Sequence, residues 1–178
     1  LDEKLVWDVE LLTDEIIVAF LQLAIVRGAS LCVLTGGFPC KDVSANRGKD
    51  RMNLAGPQSR LFYSIPPIGD MLLRHLTFPL FYIIECVVME DEPLKEVSEL
   101  LGARPTVIDA APVCAAGRKR LFWFNFEIWP EKGESLVRAD DRNTLHLAPK
   151  EQSIKDFADA GWTLHSSTSW PSRSFPCL

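Results

Sequence analysis

Residues 29–40, Ala-Ser-Leu-Cys-Val-Leu-Thr-Gly-Gly-Phe-Pro-Cys, set an apolar run directly against a Gly-Gly-Phe-Pro turn that ends on a thiol. The run Leu31-Cys32-Val33-Leu34 is too short for a core helix and is bounded by turn residues, so residues 29–34 read as a buried strand. Pro39 fixes its own φ and gives up its N–H, while Gly36 and Gly37 accept backbone angles that other residues avoid. The strand therefore ends in a stiff turn that presents Cys40 at the head of a charged loop. Two roles remain open for that cysteine from the residues alone: a small buried hydrophobe, the commoner case, or a reactive thiol held at a sheet edge.

Working outward, short apolar runs alternate with segments of helical period. Residues 5–9 read as a strand. Thr13 is placed to cap a helix over residues 14–27 that Gly28 closes. Between residues 58 and 75 apolar side chains recur at helical spacing, with Pro66-Pro67 expected to break or bend the first turns. Residues 81–84 form another short strand, residues 91–101 a helix closed by Gly102, and residues 106–109 and 121–126 two further strands. The order predicts an α/β domain with a mostly parallel sheet. About a dozen residues without helical period join the last two strands, which predicts an antiparallel pair at one edge.

The chain has 178 residues, 47% hydrophobic and 24% charged, enough to bury a sizeable core. A net charge of −5 excludes binding of nucleic acid through bulk charge, so contact with phosphates needs a local basic cluster. The loop over residues 41–51 supplies one, with Lys41, Arg47, Lys49 and Arg51 against Asp42 and Asp50, and Gly48 as a hinge. No apolar window is long enough to span a membrane and no signal peptide is present, which points to an intracellular protein, nuclear in a eukaryote. Five cysteines without C-x-x-C spacing and three scattered histidines argue against a disulfide framework or a metal centre.

Two carboxyl ends of strands carry titratable groups, Cys40 on one and Glu85 on another, and ligands of such sheets sit outside those ends. Glu85 stands between Ile84 and Cys86-Val87-Val88, apolar surroundings that favour the uncharged, proton-donating form. Taken alone, a strand-end carboxylate more often caps a helix or pairs with an arginine. Arg118 and Arg120 reach the same end only if the edge pair folds back.

Four segments together, "GGFPCKDVS" (residues 36–44), "GPQSRLF" (56–62), "IIECV" (83–87) and "GRKRLFWF" (117–124), resemble in order and spacing the motifs of the cytosine-5 DNA methyltransferases. The stretch "VIDAAPVCAAGRKRLFWFNF" is most similar to the de novo animal enzymes, and the wording around Glu85 to retrotransposon-associated algal members. The resemblance covers roughly residues 5–126. It implies a Rossmann-like methyltransferase sheet, with residues 1–128 as a partial catalytic domain and 129–178 as an extension that could begin a target-recognition region. It implies S-adenosylmethionine as cofactor and double-stranded DNA as partner, with RNA as the alternative polymer.

By position, Cys40 matches the cysteine that attacks C6 of a flipped cytosine, and Pro39 the proline whose backbone contacts the base. Glu85 matches the glutamate that holds N3 and the exocyclic amine, and Arg120 the arginine at the base carbonyl. Arg118 supports the loop, Ser44 lies near the DNA backbone, and Asp8, Phe38 and Pro39 match cofactor-side positions. The chain departs from the family at Cys86, where an asparagine is usual, and at Gly117, where a polar residue often stands. It carries no G-x-G loop; in the family that loop precedes the position of Asp8, so the sheet is expected to lack its cofactor-loop strands, and an inactive remnant or scaffold that lacks the cofactor loop is the alternative to an enzyme.

Overall fold

A computed structural model describes residues 8–44, 48, 51–113 and 118–148. Their order is a 3-10 turn Val9–Leu11, helix α1 (Asp14–Val26), strand β1 (Cys32–Gly37), 3-10 turns Asn53–Ala55 and Ser59–Ser64, helix α2 (Ile65–His75), strand β2 (Leu80–Val87), helix α3 (Asp91–Leu101), and strands β3 (Thr106–Asp109), β4 (Lys119–Phe124), β5 (Ser135–Arg138) and β6 (Asn143–His146). The six strands make one sheet in the order β1-β2-β4-β3-β6-β5. The chain is an α/β protein with a mixed sheet.

The sheet corrects two expectations. It is not mostly parallel: β1–β2 and β3–β6 are parallel, while β2–β4, β3–β4 and β5–β6 are antiparallel. The expected antiparallel pair exists as β3–β4 but is not at an edge. β4 inserts between β2 and β3, and the β5–β6 hairpin pairs onto β3 beyond it. The insertion follows from the pattern of β4, whose Leu121 and Trp123 are both fully buried, a demand that an edge strand meets poorly. No strand was expected from residues 135–146, whose pattern leaves Ser135, Val137 and Arg138 exposed.

Local chemistry explains the other boundaries. Asp91 and Glu92 favour the N-terminal end of α3, and Gly102 closes it at φ 62°, the left-handed region that suits glycine. Pro66-Pro67 begin α2 instead of breaking a longer helix, because a first turn has no use for their missing N–H groups; the stretch before it is the 3-10 turn. The strand expected at residues 5–9 lies outside the described residues except for its end, where Asp8 caps the 3-10 turn Val9–Leu11.

Two apolar clusters hold the sheet. Ile17 and Leu21 of α1 meet Ile68 and Leu72 of α2, all spaced i, i+4, over Cys32, Leu34 and Leu80. The larger cluster joins Ile84, Cys86, Leu121 and Trp123 to Leu94 and Val97 of α3 and to Phe38, Val43, Leu54 and Phe62. Trp123 spends its only donor well, since its indole N–H donates to Ser98 Oγ at 3.0 Å. The larger cluster thus reaches from the sheet to the turn that carries Cys40.

Candidate functional site

Parallel pairing of β1 with β2 sets Gly37 opposite Glu85. The strand-end turn Phe38-Pro39-Cys40 leaves from that point. Phe38 anchors it, buried with its ring 4.9 Å from that of Phe62. Cys40, half-buried, packs against the same cluster, and its carbonyl accepts from the backbone N–H groups of Val43 at 3.2 Å and Ser44 at 2.8 Å. Cys40 therefore opens a hydrogen-bonded turn rather than a slack loop.

Glu85 comes from the middle of an alternating pattern. Ile84 and Cys86 turn into the core, so Glu85 turns to the other face, beside Phe122 across the β2–β4 ladder. Its carboxylate leans toward the end of β1, where a side chain on Gly37 would stand 3.0 Å from Glu85 Oε2; glycine leaves that space open. Arg120 Nε meets Glu85 Oε1 at 2.9 Å, and Arg120 Nη1 donates to the Lys119 carbonyl at 2.8 Å. The apolar enclosure expected for Glu85 is not found: its side chain is 34% exposed and paired, because its apolar neighbours face the opposite side.

Cys86, the next residue on β2, turns into the core. Burial pushes its thiol up to about 12; a backbone hydrogen bond at Val87 opposes that rise, nearby Cys40 and Glu85 add to it, and Arg120 offsets them in part. Cys40, Glu85 and Arg120 thus act on one buried neighbour. The sequence noted Cys86 only as a departure from a family pattern, and burial, which no single position reveals, gives it this place.

The thiol has a consequence for stability. Ordinary thiols ionise near 9, so between about 9 and about 12 only the unfolded chain gives up this proton. The contribution is complete below 9 and is lost as pH rises through 12, a few kcal/mol at most at roughly 1.4 kcal/mol per unit. Denaturant unfolding at pH 8, 9, 10 and 11 is expected to show a shallower alkaline decline for Cys86→Ala than for the parent. Taking the difference between the two chains removes Tyr63, whose phenol a hydrogen bond to Glu96 also pushes up to about 12.

The remaining positions divide. Pro39 is exposed beside Cys40. Ser44 is half-buried on the same turn. Arg118 does not join Glu85; it is exposed, its carbonyl accepts from Ala110 N–H at 3.2 Å, and its side chain makes no ion pair among the described residues. In the basic loop Lys41 is exposed, while Arg51 is bound to Glu90 at 2.6 Å and through Nε to the Gly48 carbonyl at 3.0 Å. Arg47, Lys49 and Asp50 lie outside the described residues, as do Gly117, Cys114 and Cys177. Cys32, Cys40 and Cys86 are free thiols, and no cluster of metal-ligating side chains occurs among the described residues.

A cavity of about 230 Å³ lies under the end of β1, lined by Val9, Leu34, residues 35–39, Leu61, Ile65, Ile68 and Ile84. Its walls suit a flat, largely apolar group. Phe38 and Pro39 line it. Asp8 does not; its carboxylate instead accepts from the Glu10 N–H at 3.0 Å.

No protein-family model matches the chain. No helix among the described residues is long and apolar enough to cross a membrane.

Proposed function

We propose that this chain carries the nucleophilic half of a DNA cytosine-5 methyltransferase site on a Rossmann-like sheet. One observation carries the reading: the turn bearing the Cys40 thiol leaves the sheet where the Glu85–Arg120 pair stands, fixed by the Gly37–Glu85 register. A thiol, a carboxylate that can relay a proton and a fixed cation are the groups that addition to a cytosine ring requires.

Cys40, its thiol proton passed to solvent, bonds through sulfur to C6 of an extruded cytosine, and the C5=C6 electron pair shifts through C4 toward N3. Glu85, paired with Arg120, relays a proton from solvent to N3 and remains a carboxylate. C5 becomes nucleophilic. S-adenosylmethionine, if bound, would supply the electrophilic methyl group, and Phe38 and Pro39 beside the apolar cavity would hold it. Loss of the C5 proton to solvent then restores the double bond as the sulfur–carbon bond breaks with its pair returning to Cys40, and N3 passes its proton back through Glu85 to solvent.

The addition can be tested without the cofactor. A proton captured at C5 and then lost again exchanges the C5 hydrogen with water. Duplex DNA tritiated at cytosine C5 is expected to release its label when incubated with the chain, and label from methyl-tritiated S-adenosylmethionine is expected at C5 when the cofactor is present. Exchange without methylation keeps the Cys40 chemistry and makes the chain a remnant that lacks cofactor capture. Folded protein that does neither, on DNA or on RNA, overturns the proposal.

A further inference from the structure

The segment GPQSRLF, residues 56–62, has no part in the addition chemistry, yet three of its residues, Gln58, Ser59 and Phe62, grip the Cys40 turn. Ser59 Oγ donates to the Pro39 carbonyl at 2.7 Å and accepts from the Asp42 N–H at 3.3 Å, so one hydroxyl straddles Cys40. The Asp42 carboxylate in turn accepts from the N–H groups of Gln58 at 3.0 Å and Ser59 at 3.1 Å, and its carbonyl accepts from Asn53 N–H at 3.2 Å. A Cβ on Gly56 would collide with the Asp42 side chain, so only glycine leaves room for the carboxylate. Phe62 completes the grip through Phe38.

Asp42 and Ser59 are both fully buried. A carboxylate and a hydroxyl removed from water are costly unless hydrogen-bonded, and here their bonds converge on the two sides of one cysteine. The geometry has a specific effect. A peptide unit is planar, so holding the Pro39 carbonyl also fixes the N and Cα of Cys40. The Val43 and Ser44 N–H groups hold the peptide plane that follows. With both flanking planes held, the direction in which the Cys40 thiol leaves the backbone is set.

We infer that Ser59, held by Asp42, is a positioning residue for the Cys40 thiol. The inference rests on the reading of Cys40 as a nucleophile, but it can be read without nucleic acid or cofactor. Freed from the Ser59 bond, the Cys40 turn can rotate outward, so a small reagent reaches sulfur more easily while an aligned pyrimidine is attacked less readily.

The test is residue-resolved alkylation of the whole chain with iodoacetamide, followed by mass spectrometry of the peptides that contain Cys40 and Cys86. In Ser59→Ala, Cys40 is expected to label about fivefold faster, the factor that one hydrogen bond of ordinary net strength is worth. Cys86, 1% exposed, keeps its slow rate and reports that the core stays closed. Ser59→Thr, which retains the hydroxyl, is expected to return Cys40 labelling to within about twofold of the parent. An unchanged Cys40 rate in Ser59→Ala, a parallel rise at Cys86, or a threonine variant that behaves like alanine overturns the inference. If the parent chain exchanges no cytosine C5 hydrogen, the methyltransferase reading falls while the labelling result still decides the role of Ser59.

Discussion

Serine in place of Cys40 is expected to abolish exchange of the cytosine C5 hydrogen, a loss of roughly a thousandfold or more. The oxygen occupies nearly the same position, but a hydroxyl gives up its proton far less readily than a thiol, and sulfur is the stronger nucleophile. The turn tolerates the change, since Cys40 is only half-buried and its backbone bonds to Val43 and Ser44 do not involve sulfur. Thermal unfolding is expected to stay close to the parent. Cys32→Ala, in the cluster between α1 and α2, provides the matched control and is expected to retain exchange. Exchange at the parental rate in Cys40→Ser would remove Cys40 from the chemistry whatever the rest of the site does.

How much of this arrangement could be read in the chain differs by element. The Gly102 end of α3 and the four-residue strand β3 followed from local rules, because glycine and short apolar runs act over a few residues, whereas β1 starts later than expected, runs through Gly36 and Gly37 and is mostly exposed rather than buried. The insertion of β4 did not. It depends on where Leu121 and Trp123 find cover, and that is a property of the whole sheet. β5 and β6 escaped notice because each is four residues long and neither carries a strong alternating pattern. At the site, Cys40, Glu85 and Arg120 were legible as residue types at strand ends, and the structure brings Glu85 and Arg120 into contact. The environment of Glu85 was misjudged for a simple reason: neighbours in sequence on a strand point to opposite faces, so flanking apolar residues say little about the burial of the one between them. Asp42 and Ser59 stood inside two of the resembling segments, but nothing local marked them as buried partners. Their partners lie about 17 positions apart in the chain, and short polar residues in a charged loop look like surface until the fold closes over them.

Glutamine in place of Glu85 is expected to lower C5 exchange by about 10² to 10⁴, the range that a positioned proton donor contributes. The substitution keeps the side-chain length, and the amide oxygen can still accept from Arg120 Nε, now 2.9 Å from the carboxylate. What glutamine cannot do is release a proton to N3. The charge that sulfur addition drives onto the ring then stays there, raising the barrier to addition while the unreacted cytosine is still held by hydrogen bonds. The loss should therefore fall on kcat, with KM for duplex DNA changed far less. Alkylation of Cys40 by iodoacetamide needs no such proton, and its rate is expected to stay within about twofold of the parent. That pairing separates two roles for the carboxylate. If Glu85 is only the structural partner of Arg120, glutamine leaves exchange nearly intact and Arg120→Leu harms stability alone. If it is the acid, exchange collapses in Glu85→Gln while the fold, the thiol and DNA binding persist, because the defect then lies in one proton at one ring nitrogen.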